Sequence, residues 1–109
     1  MKLGKEFVKA YADFSDNGVV VEIPFICNEY AGEFFKSLGK CYMLAKLKGN
    51  FTVLATSEVI VGFCYDYAEN ETREYVEKIL EVFSGLIMMR YYDQRDKSEV
   101  MEIPFAIAA

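Results

Sequence analysis

Hydrophobic and polar positions change period several times along the chain, and each change predicts an element. Phe7, Val8, Tyr11 and Phe14 recur in helical steps over 4–14, with Lys5, Glu6, Lys9 and Asp13 off that face, which predicts an amphipathic helix. Ser15-Asp16-Asn17-Gly18 is a run of turn formers. A period of two follows: Val19, Val21, Ile23 and Phe25 alternate with Val20, Glu22 and Pro24, which predicts a strand. Pro24 has no N–H to give a ladder, so it belongs at a sheet edge or a strand end. Asn28 suits the N-cap of a second helix whose face is Ala31, Phe34, Phe35 and Leu38, with Gly39 as its stop.

Residues 40–68 form the longest stretch without a helical period and predict a three-stranded antiparallel meander. Cys41, Met43, Ala45 and Leu47 alternate with Tyr42, Leu44, Lys46 and Lys48, and Gly49-Asn50 has the composition of a hairpin tip. Phe51, Val53 and Ala55 alternate with Thr52, Leu54 and Thr56, and after Thr56-Ser57-Glu58 a strand follows over 59–67. Both faces of that last strand are largely apolar, so it is expected to be central and covered on both sides. Asn70 then opens a helix as its cap, with Tyr75, Val76, Ile79, Leu80 and Phe83 as the buried stripe and Gly85 at its end. Leu86–Asp93 could extend this helix, but Gly85 and the Tyr91-Tyr92 pair argue for a strand over 86–93. Gln94-Arg95-Asp96-Lys97 would turn it into a last strand, Glu99–Ile107. The expected fold is one α+β domain over 1–109. It has a single-layer antiparallel sheet of five or six strands, covered by two or three helices, in the order α-β-α-β-β-β-α-β-β.

The run from L-A-K-L-K-G-N-F-T-V-L-A-T through V-I-V-G-F-C-Y-D-Y-A-E-N-E-T-R-E-Y-V-E-K-I-L-E-V-F, about residues 40 to 85, resembles the second half of roadblock and longin domains. That resemblance implies a profilin-like module of the kind used as a dimerisation and scaffold platform for small GTPases and trafficking machinery. The chain departs from the pattern in having one strand, not two, before the middle helix, and in its terminal hairpin. No binding residue is carried over from that family.

Two segments are near twins: V-V-E-I-P-F at 20–25 and V-M-E-I-P-F at 100–105. They read either as related edge strands or as a chance match in a chain rich in these residues. In both, an outward Glu and a Pro are the devices that blunt an exposed strand. The tail Ala106-Ile107-Ala108-Ala109 is apolar and suits burial, including against a second protomer.

At 53% hydrophobic and 16% aromatic residues, there is ample material for a core, with some to spare for a partner. Eight tyrosines fit half-buried or interfacial places, the ring dry and the hydroxyl wet. The net charge is −5, and the twelve Lys and Arg are scattered, which argues against nucleic acid or an anionic membrane as a partner. An acidic inhibitor imitating nucleic acid is the alternative that this charge leaves open. Cys27, Cys41 and Cys64 are odd in number and form no C-x-x-C, which suits reduced thiols. The first eleven residues lack an uninterrupted apolar core, and no apolar run approaches a membrane span, so a cytoplasmic location is expected.

The chain contains no histidine, which removes the commonest general base, the Ser-His and Cys-His systems and most zinc sites. Its seven glycines are isolated, so there is no phosphate loop, and no cofactor or metal is expected. Cys27, at the start of a helix, is the reactive-thiol candidate, with a small buried hydrophobe as the plainer reading. Asp66, Glu69, Glu71 and Glu74 gather where the long helix begins, as a solvated acidic cap or a weak cation site. Tyr65, Tyr67, Arg90, Tyr91 and Tyr92, with Phe105 and Ile107 of the tail, are the interface candidates. The expected function is a non-catalytic, homodimeric scaffold or adaptor, its partner itself or another protein. The alternative is a small-molecule-binding protein or thiol enzyme with a pocket near Cys27.

Overall fold

A computed structural model describes residues 11–91. The fold is α+β, with a four-stranded antiparallel sheet. Strands β1 (Tyr11–Phe14) and β2 (Gly18–Pro24) form a hairpin, with Tyr11 opposite Glu22 and Phe14 opposite Val19. Ser15 N–H closes the turn on the Gly18 carbonyl at 2.9 Å. The helix expected over 4–14 is therefore corrected for Tyr11–Phe14. Ala12 and Phe14 follow the strand period, and pairing along β2 satisfies backbone groups that a helix would have bonded internally. Residues 4–10 lie outside the described residues.

Helix α1 spans Asn28–Ser37, with Cys27 rather than Asn28 in the extended N-cap position. Leu38–Lys40 tighten into a 3₁₀ turn, and Tyr42–Ala45 form a short helix, α2. The strand expected over 41–48 is thus overturned. Leu38, Cys41, Leu44 and Leu47 are all buried at steps of three, and Met43 is buried beside Leu44. Adjacent strand residues face opposite ways, so no strand buries both Met43 and Leu44 against one core. Gly39 does not stop the helical path because it lies on the exposed side.

Strands β3 (Asn50–Ala55) and β4 (Ile60–Asp66) are joined by a turn in which Ser57 Oγ accepts from the Ile60 N–H at 3.0 Å. The sheet order is β1-β2-β4-β3. Registers align Phe14, Val19, Tyr65 and Phe51 in one row, and Ala12, Val21, Phe63 and Val53 in the next. Ile23, Val61 and Ala55 continue this face. β4 is interior as expected, but the buried residues of α1 and the long helix join the core on this one face, while Cys64 on the other is only half-buried.

Helix α3 runs from Arg73 to Tyr91. Thr72, not Asn70, caps it: Thr72 Oγ1 accepts from the Tyr75 N–H at 3.2 Å, and Asn70 instead takes the left-handed turn position at φ 72°. The strand expected over 86–93 is helix through Tyr91. The buried stripe Val76, Leu80, Phe83, Ile87 and Tyr91 keeps helical steps straight past Gly85. Phe25 packs at a tilt against Phe34 and meets Tyr91 edge-on, both with centroids 5.1 Å apart, so the end of β2, α1 and α3 share one aromatic knot. The hairpin expected over 94–107 lies outside the described residues. Within 11–91, no helix is long and apolar enough to cross a membrane.

Candidate functional site

The two inner strands bury their apolar rows, but β3 does not. All six of its residues are exposed, including Phe51 and Val53, which belong to the helix-covered face. Phe51 keeps 37% of its surface, Val53 43% and Leu54 36%. β3 is the outermost strand on this side of the described sheet, so apolar side chains with a core-facing register stand at a rim.

A trough lies between that rim and the helices. At one end Leu38, Cys41, Leu44 and Leu47 face Phe51 and Val53 across a cavity of about 330 Å³. At the other, Ala31, Gly32 and Phe35 of α1 face Ala55 and Val61 across a second of about 570 Å³. Phe35 is itself exposed. The Leu38–Leu47 end of the trough is apolar, Asn28, Glu29, Ser57 and Glu58 also line the other end, and the outer wall is a strand with no pairing partner on its far side among the described residues.

Edge strands in stable proteins are blunted by a charge, a proline or a bulge. From Asn50 to Ser57 the sequence is N-F-T-V-L-A-T-S, with neither a charge nor a proline. By contrast β1, at the opposite edge of the sheet among the described residues, carries Asp13. Among the described residues β3 is thus an uncharged edge strand without a partner on its outer side.

Its start is held rigidly. The Tyr65 hydroxyl accepts from the Gly49 N–H at 2.8 Å and donates to a Glu71 carboxylate oxygen. Glu71 also accepts from the Ala68 N–H at 2.5 Å and the Lys48 N–H at 3.4 Å. One carboxylate therefore ties together the end of β4, the approach to β3 and the turn before α3. Burial, then the hydrogen bond to Glu71, pushes the Tyr65 phenol up, so it stays the proton donor. Gly49 has no room for a side chain, since a Cβ there would sit 1.8 Å from the Asp66 carbonyl oxygen.

The residues singled out from sequence fall in several places. Tyr65 and Tyr91 are core residues, at 0% and 1% exposure. Tyr67 is half-buried, its hydroxyl without a hydrogen-bond partner among the described residues. Arg90 bonds Glu33 of α1 at 2.8 Å, clasping the two helices together. Tyr92, Phe105 and Ile107 lie outside the described residues. Cys27 is half-buried at the α1 N-cap, and its carbonyl accepts from the Ala31 N–H. Cys41 is buried, which pushes its thiol up and away from reactivity. Of the acidic group, Glu71 is taken up in the clamp just described. Within 11–91 no three His, Cys, Asp or Glu side chains are placed to hold a metal ion.

Phe51, Val53 and Leu54 were missed as site residues because alternation alone reads them as ordinary strand. The signal that marks them is the uncharged run from Asn50 to Ser57, which is informative only once β3 is known to be an edge. Comparisons with protein-family models, with curated proteins and with solved structures each find no match.

Proposed function

We propose that the chain is a non-catalytic protein-interaction module that receives an extended segment along the free edge of β3. The observation that carries this reading is the exposure of all six β3 residues, core-facing ones included, on an edge with no charge or proline. An added strand would satisfy the outward N–H and C=O groups. Its alternate side chains would lie over the trough beside Phe51 and Val53, which is how strand addition combines backbone affinity with side-chain selectivity.

The resemblance to roadblock and longin domains points to the same class of function, although Tyr42–Ala45 is helical where that pattern has a strand. The adaptor would be cytoplasmic. Tyr92, Phe105, Ile107 and the rest of the apolar tail are offered as further contacts of the same assembly.

The test is selection of extended peptides from a random displayed library on the dilute protein. Bound peptides should alternate apolar residues, lose binding when alternate backbone amides are N-methylated, and fail to bind Val53→Lys. Peptides that bind regardless of N-methylation and of Val53→Lys, or a library that yields no ligand, refute strand addition at β3.

A further inference from the structure

Resting on that reading, we infer that the segment received at β3 is β3 of a second copy, joined about a two-fold axis through Val53. In an antiparallel pair directly opposite residues share a face. Keeping both helix layers on the same side of a continuous sheet therefore requires odd-numbered residues of β3 to meet odd ones. Centring the axis on Val53 meets this condition. Val53 then faces Val53, Phe51 faces Ala55, and Thr52 faces Leu54 of the other copy. The large Phe51 ring is placed opposite the smallest side chain of the strand, at the end of its trough that Ala31, Gly32 and Phe35 leave open. No position is asked to take two large rings.

Charge supports self-pairing in particular. The two-fold brings Val53, and its neighbours Thr52 and Leu54, near their own copies, so a charge at any of these three would meet the same sign, and none of them is charged. Charged residues make up 27% of the chain, yet Asn50–Ser57 has none. A heterologous partner would set no such condition, because a charge on β3 could be answered by its opposite. The same two-fold makes the interface closed, so pairing stops at two copies instead of running on as a fibre. An interface built on one short strand pair is at the small end of specific interfaces, near about 1,000 Å². A micromolar dimer is expected, not a permanent one.

The full chain is examined by sedimentation across a concentration series, alone and as Val53→Lys. The wild type should pass from monomer to dimer. Two ammonium groups facing each other across the axis should weaken the dimer by at least about a hundredfold. Val53 is exposed, so the lysine leaves the monomer folded. Should it not, Val53→Cys gives an independent readout. Opposed residues in such a pair have Cα atoms about 4.5–5.5 Å apart, within the span of a disulfide. Mild oxidation should then give a 53–53 bridge identified by peptide mapping, while Thr52→Cys, out of register with itself, should not.

A dimer indifferent to Val53→Lys and without the 53–53 bridge overturns the inference. So does a monomer at hundreds of micromolar. If that monomer still binds extended peptides at β3, strand addition stands and only the second copy is excluded. If removal of 99–109 turns the monomer into a dimer, the occupant is the chain's own tail.

Discussion

Gly49→Ala perturbs the point on which the interaction edge hangs. The added Cβ would lie 1.8 Å from the Asp66 carbonyl oxygen and 2.8 Å from both Cζ and the hydroxyl oxygen of Tyr65. The first neighbour is backbone of the central strand and the others belong to a ring at 0% exposure, so none moves aside freely. Gly49 has no positive φ, so the cost is steric and not conformational. Relief requires β3 to draw away from β4 at its first residue, which breaks the 2.8 Å bond from the Gly49 N–H to Tyr65. Overpacking costs about 1–3 kcal/mol, and an unmatched buried hydrogen bond about 1–3 more. The sum, about 2–6 kcal/mol, is a large share of the roughly 5–15 kcal/mol that holds such a domain together. Urea unfolding followed by far-ultraviolet circular dichroism measures it, with Gly39→Ala as the control because nothing lies within 4 Å of a Cβ there. A loss below about 0.5 kcal/mol, the scale of an ordinary surface change, would refute the clamp.

Gly85→Ala should act in the opposite sense. The site is exposed, inside α3, with nothing within 4 Å of a Cβ, so stability should rise by about 0.5–1 kcal/mol and the melting temperature by a few degrees. A substitution that lowers the melting temperature would argue that the helix ends there. Alkaline pH should destabilise the fold: burial, with the Glu33 carboxylate adding to it, pushes the Tyr91 phenol up to about 12 from the ordinary 10, and Tyr65 shifts in the same direction. Both phenols hold their protons more tightly when folded, so their contribution is complete below pH 10; that of Tyr91 is lost as pH rises through about 12, and that of Tyr65 is lost in the same direction. Denaturant midpoints against pH should show that decline, and it should flatten in a Tyr65→Phe/Tyr91→Phe double variant; an equally steep decline there would sink the assignment.

Where a period was unambiguous, the sequence was legible. β2 and the β3–β4 hairpin follow their alternation, and the stripe from Val76 to Phe83 marks α3. The errors share a cause, which is that short apolar patterns fit two periods. Tyr11 and Phe14 are three apart and also end a four-residue strand, and only pairing with Val19–Glu22 decides between them. Cys41 to Leu47 alternates on paper, yet Leu44 breaks the alternation and belongs to the series of threes that α1 passes on through Leu38. Gly85 and the Tyr91-Tyr92 pair favour a strand by local propensity, but packing against Phe25 and Phe34 extends the buried stripe to Tyr91. The candidate site was the least legible part. Strand order is a tertiary property, so nothing in N-F-T-V-L-A-T-S says that it lies at an edge, and of the tyrosines singled out as interface candidates Tyr65 and Tyr91 are core residues.

Amide hydrogen exchange along Asn50–Ala55, at dilute and concentrated protein, tests most directly whether β3 is an edge completed by another strand. Amides that point toward β4 should be protected at every concentration. The alternate, outward amides should exchange quickly when dilute and gain protection by mass action as pairing sets in. Outward amides that exchange at unpaired rates at every concentration, and with selected peptides present, would contradict the account.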